Sequence, residues 1–186
     1  MACYNFTMSR LRILRLLVLL LTAFVYSLWH GNFRFKKIII HCTDSEHGNR
    51  DLINMWHQHR GWVEIGYNFV ILNGHPLPGV QRPWENGRIE KGRTLLKDGA
   101  HARGDNRDSI GISLIGKRNF TEEQIKMIRR FVIDLMYRYN ISIDSVFGHY
   151  EMQSGILQKK TCPNIDMHWF RDELRREMGQ TYGKPI

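Results

Sequence analysis

Hydrophobic and polar positions divide the chain into an apolar leader and a series of short strands and amphipathic helices. Residues 16–29, LLVLLLTAFVYSLW, run without a formal charge. KKIIIHC (36–42) is a β-branched run of the kind that forms a buried strand. His41 and Cys42 close it, and strand alternation puts their side chains on opposite faces, so Cys42 is expected to face away from any site that His41 faces. RDLINMWHQHRG (50–61) spaces Leu52, Ile53, Trp56 and His57 as one helix face, with Gly61 as the stop. YNFVILNGHPLP (67–78) reads as a strand followed by Asn73-Gly74, a hairpin signal. Residues 79–108 show no period and predict a long loop region with one short strand. SIGISLIG (109–116) is another strand. Thr121 caps a helix over 121–140 that puts Ile125, Ile128, Phe131, Val132, Leu135 and Met136 on one face. SVFGH (145–149) is a short strand ending at His149, and IDMHWFRDELRREM (165–178) is a final amphipathic helix. This interleaving predicts an α/β fold: a single domain with a central mixed β-sheet flanked by helices. The expected limits are a leader over 1–30, a linker over 31–36, the folded domain over 37–178 and a C-terminal tail over 179–186.

Charge sharpens the division. The chain has 186 residues and a formal charge of +9, but Arg10, Arg12, Arg15, Arg34, Lys36 and Lys37 stand in a leader region without a single acid. The other 149 residues carry 21 basic and 18 acidic side chains. A nucleic-acid partner is therefore not expected. The mild positive balance suits an acidic polymer such as a cell wall. MSRLRILR followed by the 14 uncharged residues matches a signal-peptide h-region better than a full span of about 20. Val25 and Ser27 precede a poor cleavage point, so a cleaved signal peptide and an uncleaved anchor through residues 13–29 both fit. Either places the domain outside the cytoplasmic membrane, periplasmic or extracellular.

Three cysteines, Cys3, Cys42 and Cys162, do not make a disulfide scaffold. Cys42 and Cys162 either pair with each other, or one of them serves as a metal thiolate. Of the nine histidines, His41 and His149 close predicted strands and His101 lies in GAHARGDN. A catalytic zinc needs three protein ligands and one open position. His41, His149 and Cys162, thirteen residues after His149, supply such a set, and the two lysines before Cys162 favour its ionised form. By spacing alone a metal site and an ordinary loop both stay open. So do the plainer readings of Tyr67 as a sheet aromatic and Lys160 as a solvated lysine.

Five blocks carry more than spacing: IIIHCTDS, WHQHRGWVEIGYNFVILNG, GAHARGDNRDSIGISLIG, GHYE and KKTCPNID. In this order, over about residues 37–174, they resemble the zinc-dependent N-acetylmuramoyl-L-alanine amidases of type 2. This family includes phage lysozyme-type amidases and peptidoglycan recognition proteins. The resemblance implies their fold, one Zn2+ held by His41, His149 and Cys162, and Tyr67 with Lys160 as the catalytic pair. It places His101, Asn106 and Ser109 at the border of the substrate groove. His101 either touches substrate or holds its loop. Trp84 and Arg82 either contact sugar and peptide or anchor theirs. Some members use a Glu within the SIG strand as a base. Ser113 stands there in this chain, which leaves more for Tyr67 and Lys160. The implied substrate is peptidoglycan, cut between N-acetylmuramic acid and L-alanine. The alternative is a recognition module that binds without cutting, and it predicts loss of a metal ligand.

Overall fold

The computed structural model describes residues 10–31 and 35–182. Cys3, the start of the basic leader, residues 32–34 of the expected linker and the end of the tail lie outside the described residues. The chain divides into two compact units, Met1–Arg34 and Phe35–Ile186. In the first, α1 (Arg10–Gly31) carries the apolar run, with Leu14, Leu17 and Leu19 among its exposed side chains. Among the described residues no helix is long and apolar enough to cross a membrane.

The second unit is built on a five-stranded sheet ordered β3-β2-β4-β1-β5. The strands are β1 (Lys37–Cys42), β2 (Phe69–Ile71), β3 (Ile89–Lys91), β4 (Ser109–Leu114) and β5 (Val146–Gly148). β1 runs parallel to β4 and β5, β2 runs parallel to β4, and β3 is antiparallel to β2. The helices are α2 (Arg50–His59), α3 (Glu122–Tyr139), α4 (Gln153–Leu157) and α5 (Met167–Tyr182). The expected mixed sheet with flanking helices is what forms. Phe35, placed in the linker by pattern, is buried edge-on to Tyr139 with ring centroids 5.0 Å apart. α5 continues past residue 178 to Tyr182.

Period-2 alternation sorts the sheet into two faces. Ile38, Ile40, Phe69, Ile71, Ile110, Ile112 and Leu114 pack with Ile128 and Val132 of α3 and with Phe170 and Leu174 of α5. Each such side chain contributes roughly 1.5–3 kcal/mol by leaving water. On the other face Val70, Leu72 and Ile115 meet Ile53 and Trp56 of α2. On that face β4 offers only Ser109, Gly111 and Ser113, in register with Lys37, Ile39 and His41. SIGISL therefore builds a packed side from its large residues and a hollow from its small ones. His41 projects over that hollow.

Local chemistry sets the helix ends. Asn49 Oδ1 accepts the Leu52 N–H at 2.8 Å to start α2. Thr121 and Gln124 form a reciprocal capping box on α3, and Asn140 closes it in the left-handed region at φ 52°. The hairpin expected at Asn73-Gly74 does not form. Pro76 and Pro78 follow, and neither can donate to a ladder. Asn73 instead caps His75 N–H and donates to the Glu46 carbonyl (2.9 Å). The antiparallel return is made by β3, beyond a long connection.

Candidate metal centre

The C-terminal ends of β1 and β5 lie side by side, because Ile40 pairs with Gly148. His41 and His149 follow directly, one at each strand end, with ring centroids 4.6 Å apart. The segment after α4 brings Cys162 across both ends. Tyr150 N–H donates to the Cys162 carbonyl (2.9 Å), and Cys42 N–H donates to Cys162 Sγ (3.1 Å). The ligand atoms of His41, His149 and Cys162 all lie within 4.8 Å of one another. His41 Nδ1 and Cys162 Sγ are 3.8 Å apart. Two ligands on one tetrahedral zinc sit about 3.5 Å apart, given their bond lengths.

Electrostatics fit the same use. Burial, followed by the neighbouring His101 and His149, holds His41 well below the ordinary imidazole value of 6.5. Burial likewise lowers His101 to about 3 and is the first cause lowering His149. These rings are neutral at pH 7, the form that binds metal. Cys42 and Cys162 are free thiols. Cys162 is pushed up by Cys42 and by burial, and the charge of Lys160 only partly offsets this. Cys42 is lowered, chiefly by its contact with Cys162. The pair thus accepts one negative charge and resists a second. The lysines before Cys162 do not alone make it a thiolate, whereas a coordinated cation does. Two neutral imidazoles and a thiol form a donor set suited to zinc. Ser113 Oγ, buried opposite His41 in the register, has no hydrogen-bond partner among the described residues and adds a polar atom to the same hollow.

Cys42 does not face away as strand alternation suggests. It is the last residue of β1, and the 162–164 turn wraps that end, so Asn164 Nδ2 lies 3.6 Å from its sulfur.

Tyr67 packs beside the ligands, 5.1 Å from the His41 ring and 5.4 Å from His57. Burial, then the charges of Cys162 and Cys42, push its phenol above the ordinary 10, so it stays protonated. Ser113 opposes that shift. Lys160 is exposed, and its charge bears on both His149 and Cys162. Asn106 Oδ1 accepts the N–H groups of His101 and Ala102 at 2.8 Å each, so it holds its loop. Trp84 is 76% exposed. Its neighbour Glu85, buried between Arg82 and Arg88, fixes that turn instead.

Three supporting residues escaped sequence reasoning. Ser154 Oγ lies 3.3 Å from His149 Nε2, which leaves Nδ1 for a metal. Asn68 Oδ1 takes the Gly111 N–H at 2.8 Å and extends the β2–β4 ladder back to Tyr67. Glu151 accepts the Gly148 N–H (2.8 Å) and a two-pronged Arg171 pair (3.0 and 3.1 Å), which locks the turn carrying His149. Arg171→Leu leaves that carboxylate largely buried and unpaired. The expected loss is about 2–4 kcal/mol, read as a lower urea midpoint.

The profile of a family described as N-acetylmuramoyl-L-alanine amidase matches residues 32–165. This chain belongs to that family. The amidase is 30% identical over 153 residues to an endolysin of Enterobacteria phage T3, covering 75% of this chain and 88% of that protein. An endolysin of Escherichia phage T7 is 29% identical over 151 residues, covering 74% and 87%. Among solved structures, the N-acetylmuramoyl-L-alanine amidase LysC from Clostridium intestinale URNW superposes with a TM-score of 0.61 at 26% identity. That match covers 80% of the amidase and 87% of LysC. The ectodomain complex of peptidoglycan recognition proteins LCa and LCx, at 22% identity and a TM-score of 0.55, shares the fold.

The buried histidines also predict how the metal-free amidase responds to acid. His57 sits at about 4, lowered by burial and then by Arg60, and its Nδ1 accepts the Gly66 N–H (3.0 Å). Below pH 6.5 the unfolded chain binds protons that native His41, His57 and His101 refuse, so stability falls as pH falls and is unaffected above 7. By pH 5 His57 and His101, at about 4 and about 3, each cost about 2 kcal/mol, and His41 adds in the same direction. The Tm of metal-free protein is expected to drop sharply between pH 7.5 and 5. A flat Tm over that range means these rings take up protons in the folded protein as they do in the unfolded chain.

Proposed function

We propose that this domain hydrolyses the amide between the lactyl group of N-acetylmuramic acid and the L-alanine of the stem peptide, with one zinc held by His41, His149 and Cys162. The observation that carries the reading is the meeting of these three ligand atoms within 4.8 Å, beside Tyr67, in a chain of the amidase family. A zinc there supplies Lewis acidity and lowers the pKa of a coordinated water to about 7. The chain's own groups do the rest. Tyr67, kept a phenol by burial, donates a hydrogen bond toward oxygen atoms at the reacting carbonyl. Lys160 provides positive charge where the oxyanion develops. The leaving alanine amine takes its proton from one of these two groups. A groove of roughly 440 Å³ is lined by Arg103, Gln153, Ser154 and Gln158, and Ser154 is also the partner of His149 Nε2.

A recognition module that binds without cutting is disfavoured, because every ligand and both catalytic candidates are present. The apolar leader supports export to the cell wall, since its 14 uncharged residues suit a signal h-region. N-terminal sequencing of the protein recovered from outside the cytoplasm tests this, and a domain retained in the cytoplasm overturns it.

Purified protein is expected to release stem peptides from sacculi while leaving glycan strands intact. Chelation abolishes the release and zinc restores it. Release that survives exhaustive chelation sinks the metal reading, and tight binding without release supports the recognition module.

A further inference from the structure

Ser109 Oγ donates its proton to the Asn106 carbonyl at 2.9 Å. The same hydroxyl meets His101 Nε2 at 3.3 Å and has only lone pairs left to offer it. His101 Nε2 therefore carries the ring proton, and its Nδ1 is bare. That bare nitrogen lies 3.1 Å from His41 Nε2, so the proton between them belongs to His41 Nε2. His41 Nδ1 is then the unprotonated nitrogen, and it is the one that faces Cys162 Sγ.

We infer that His101 is a positioning residue of the metal centre: its Nδ1 accepts the His41 Nε2 proton and fixes His41 in the tautomer whose Nδ1 binds zinc. This rests on the zinc reading above. The ring has no freedom to do otherwise. A Cβ on Gly99 would come within 2.4 Å of His101 Cδ2, and one on Gly111 within 2.3 Å, so the imidazole fills a slot that only two glycines leave open. Its backbone is pinned by Asn106 Oδ1 through two N–H groups. At 8% exposure, water does not compete for its nitrogens. A metal-bound histidine needs such a partner for its second nitrogen. Ser154 serves His149 in the same way, and Cys42 N–H serves Cys162. His101 is thus occupied with His41 and Ser109, and a direct contact with substrate is not its task.

Two near-isosteres separate the two sides of this ring. His101→Asn keeps an oxygen where Nδ1 stands, and His101→Gln keeps an amide where Nε2 stands. Zinc affinity of the metal-free full chain, measured by competition with a chromophoric chelator, is expected to stay within about threefold of wild type in His101→Asn and to fall ~10–100-fold in His101→Gln. Long-range 1H–15N correlation on the metal-free wild type is expected to show His41 protonated at Nε2. Equal affinities for the two variants overturn the inference, as does a wild-type His41 protonated at Nδ1, a result that does not depend on either variant folding. Failure of the wild type to bind zinc strikes the metal reading itself and is seen in the wild-type arm alone.

Discussion

Cys162→Ala is expected to abolish hydrolysis and zinc affinity together while leaving the metal-free fold nearly as stable as before. The activity loss follows from the donor count. His41 and His149 alone do not make the three-ligand set of a catalytic zinc, and the several kcal/mol of barrier lowering such a metal supplies is worth more than about a thousandfold in rate. The stability argument is less obvious. Cys162 is half-buried against Cys42, which raises the pKa of Cys162 while its own is lowered by the same contact. With no metal bound Cys162 stays a neutral thiol, and alanine deletes a single half-buried sulfur, so the metal-free Tm moves little. Zinc, by contrast, stabilises only a folded state that binds it. Saturating zinc should raise the wild-type Tm and leave that of Cys162→Ala unchanged. A variant that keeps zinc-dependent release of stem peptides removes Cys162 from the centre.

What made the fold legible was local consistency. Thr121 at the start of a 3.6-residue pattern and Asn140 at its end bracket α3 within a residue of where they were expected. The β-branched run of β1 could only be a buried strand. SIGISL was equally readable as a strand, but its second message lies in the register. Ser109, Gly111 and Ser113 form a hollow only because they stand opposite Lys37, Ile39 and His41. Misreadings arose where tertiary partners overrode local chemistry. Asn73-Gly74 has the residues of a tight hairpin, yet Asn73 spends its side chain on Glu46 and His75. Cys42 obeys alternation until its strand stops, and there a distant turn reaches round to it. At the site, the three candidate ligands could be named through their blocks, but the residues that support them could not. Ser154 is one small polar residue on a five-residue helix, and nothing in its neighbours points to His149. His101 was visible as a candidate, but its partner is sixty residues away, so sequence could not divide a substrate contact from a ring held against His41.

Tyr67→Phe is expected to lower kcat by about 10²–10³ while KM, zinc affinity and Tm stay close to wild type. The ring itself is packing: it fills the space between His41 and His57, and phenylalanine keeps that contact. Only the hydroxyl is lost, and Ser113 Oγ, which bears on it, has no ordinary hydrogen bond to lose. A donor aimed at charge that appears only in the transition state is worth little to substrate binding and much to the rate. Burial and the nearby thiols hold the phenol protonated well beyond neutral pH, so its ionisation should put no alkaline limb on the rate below about pH 10, where an unperturbed tyrosine begins to titrate. Lys160→Ala gives the contrast. Its side chain is exposed, so its field acts partly through water and its removal should cost less than loss of the Tyr67 hydroxyl. If Tyr67→Phe retains full kcat, the hydroxyl is a spectator, and the burden of stabilising the oxyanion and supplying the leaving-group proton passes to Lys160.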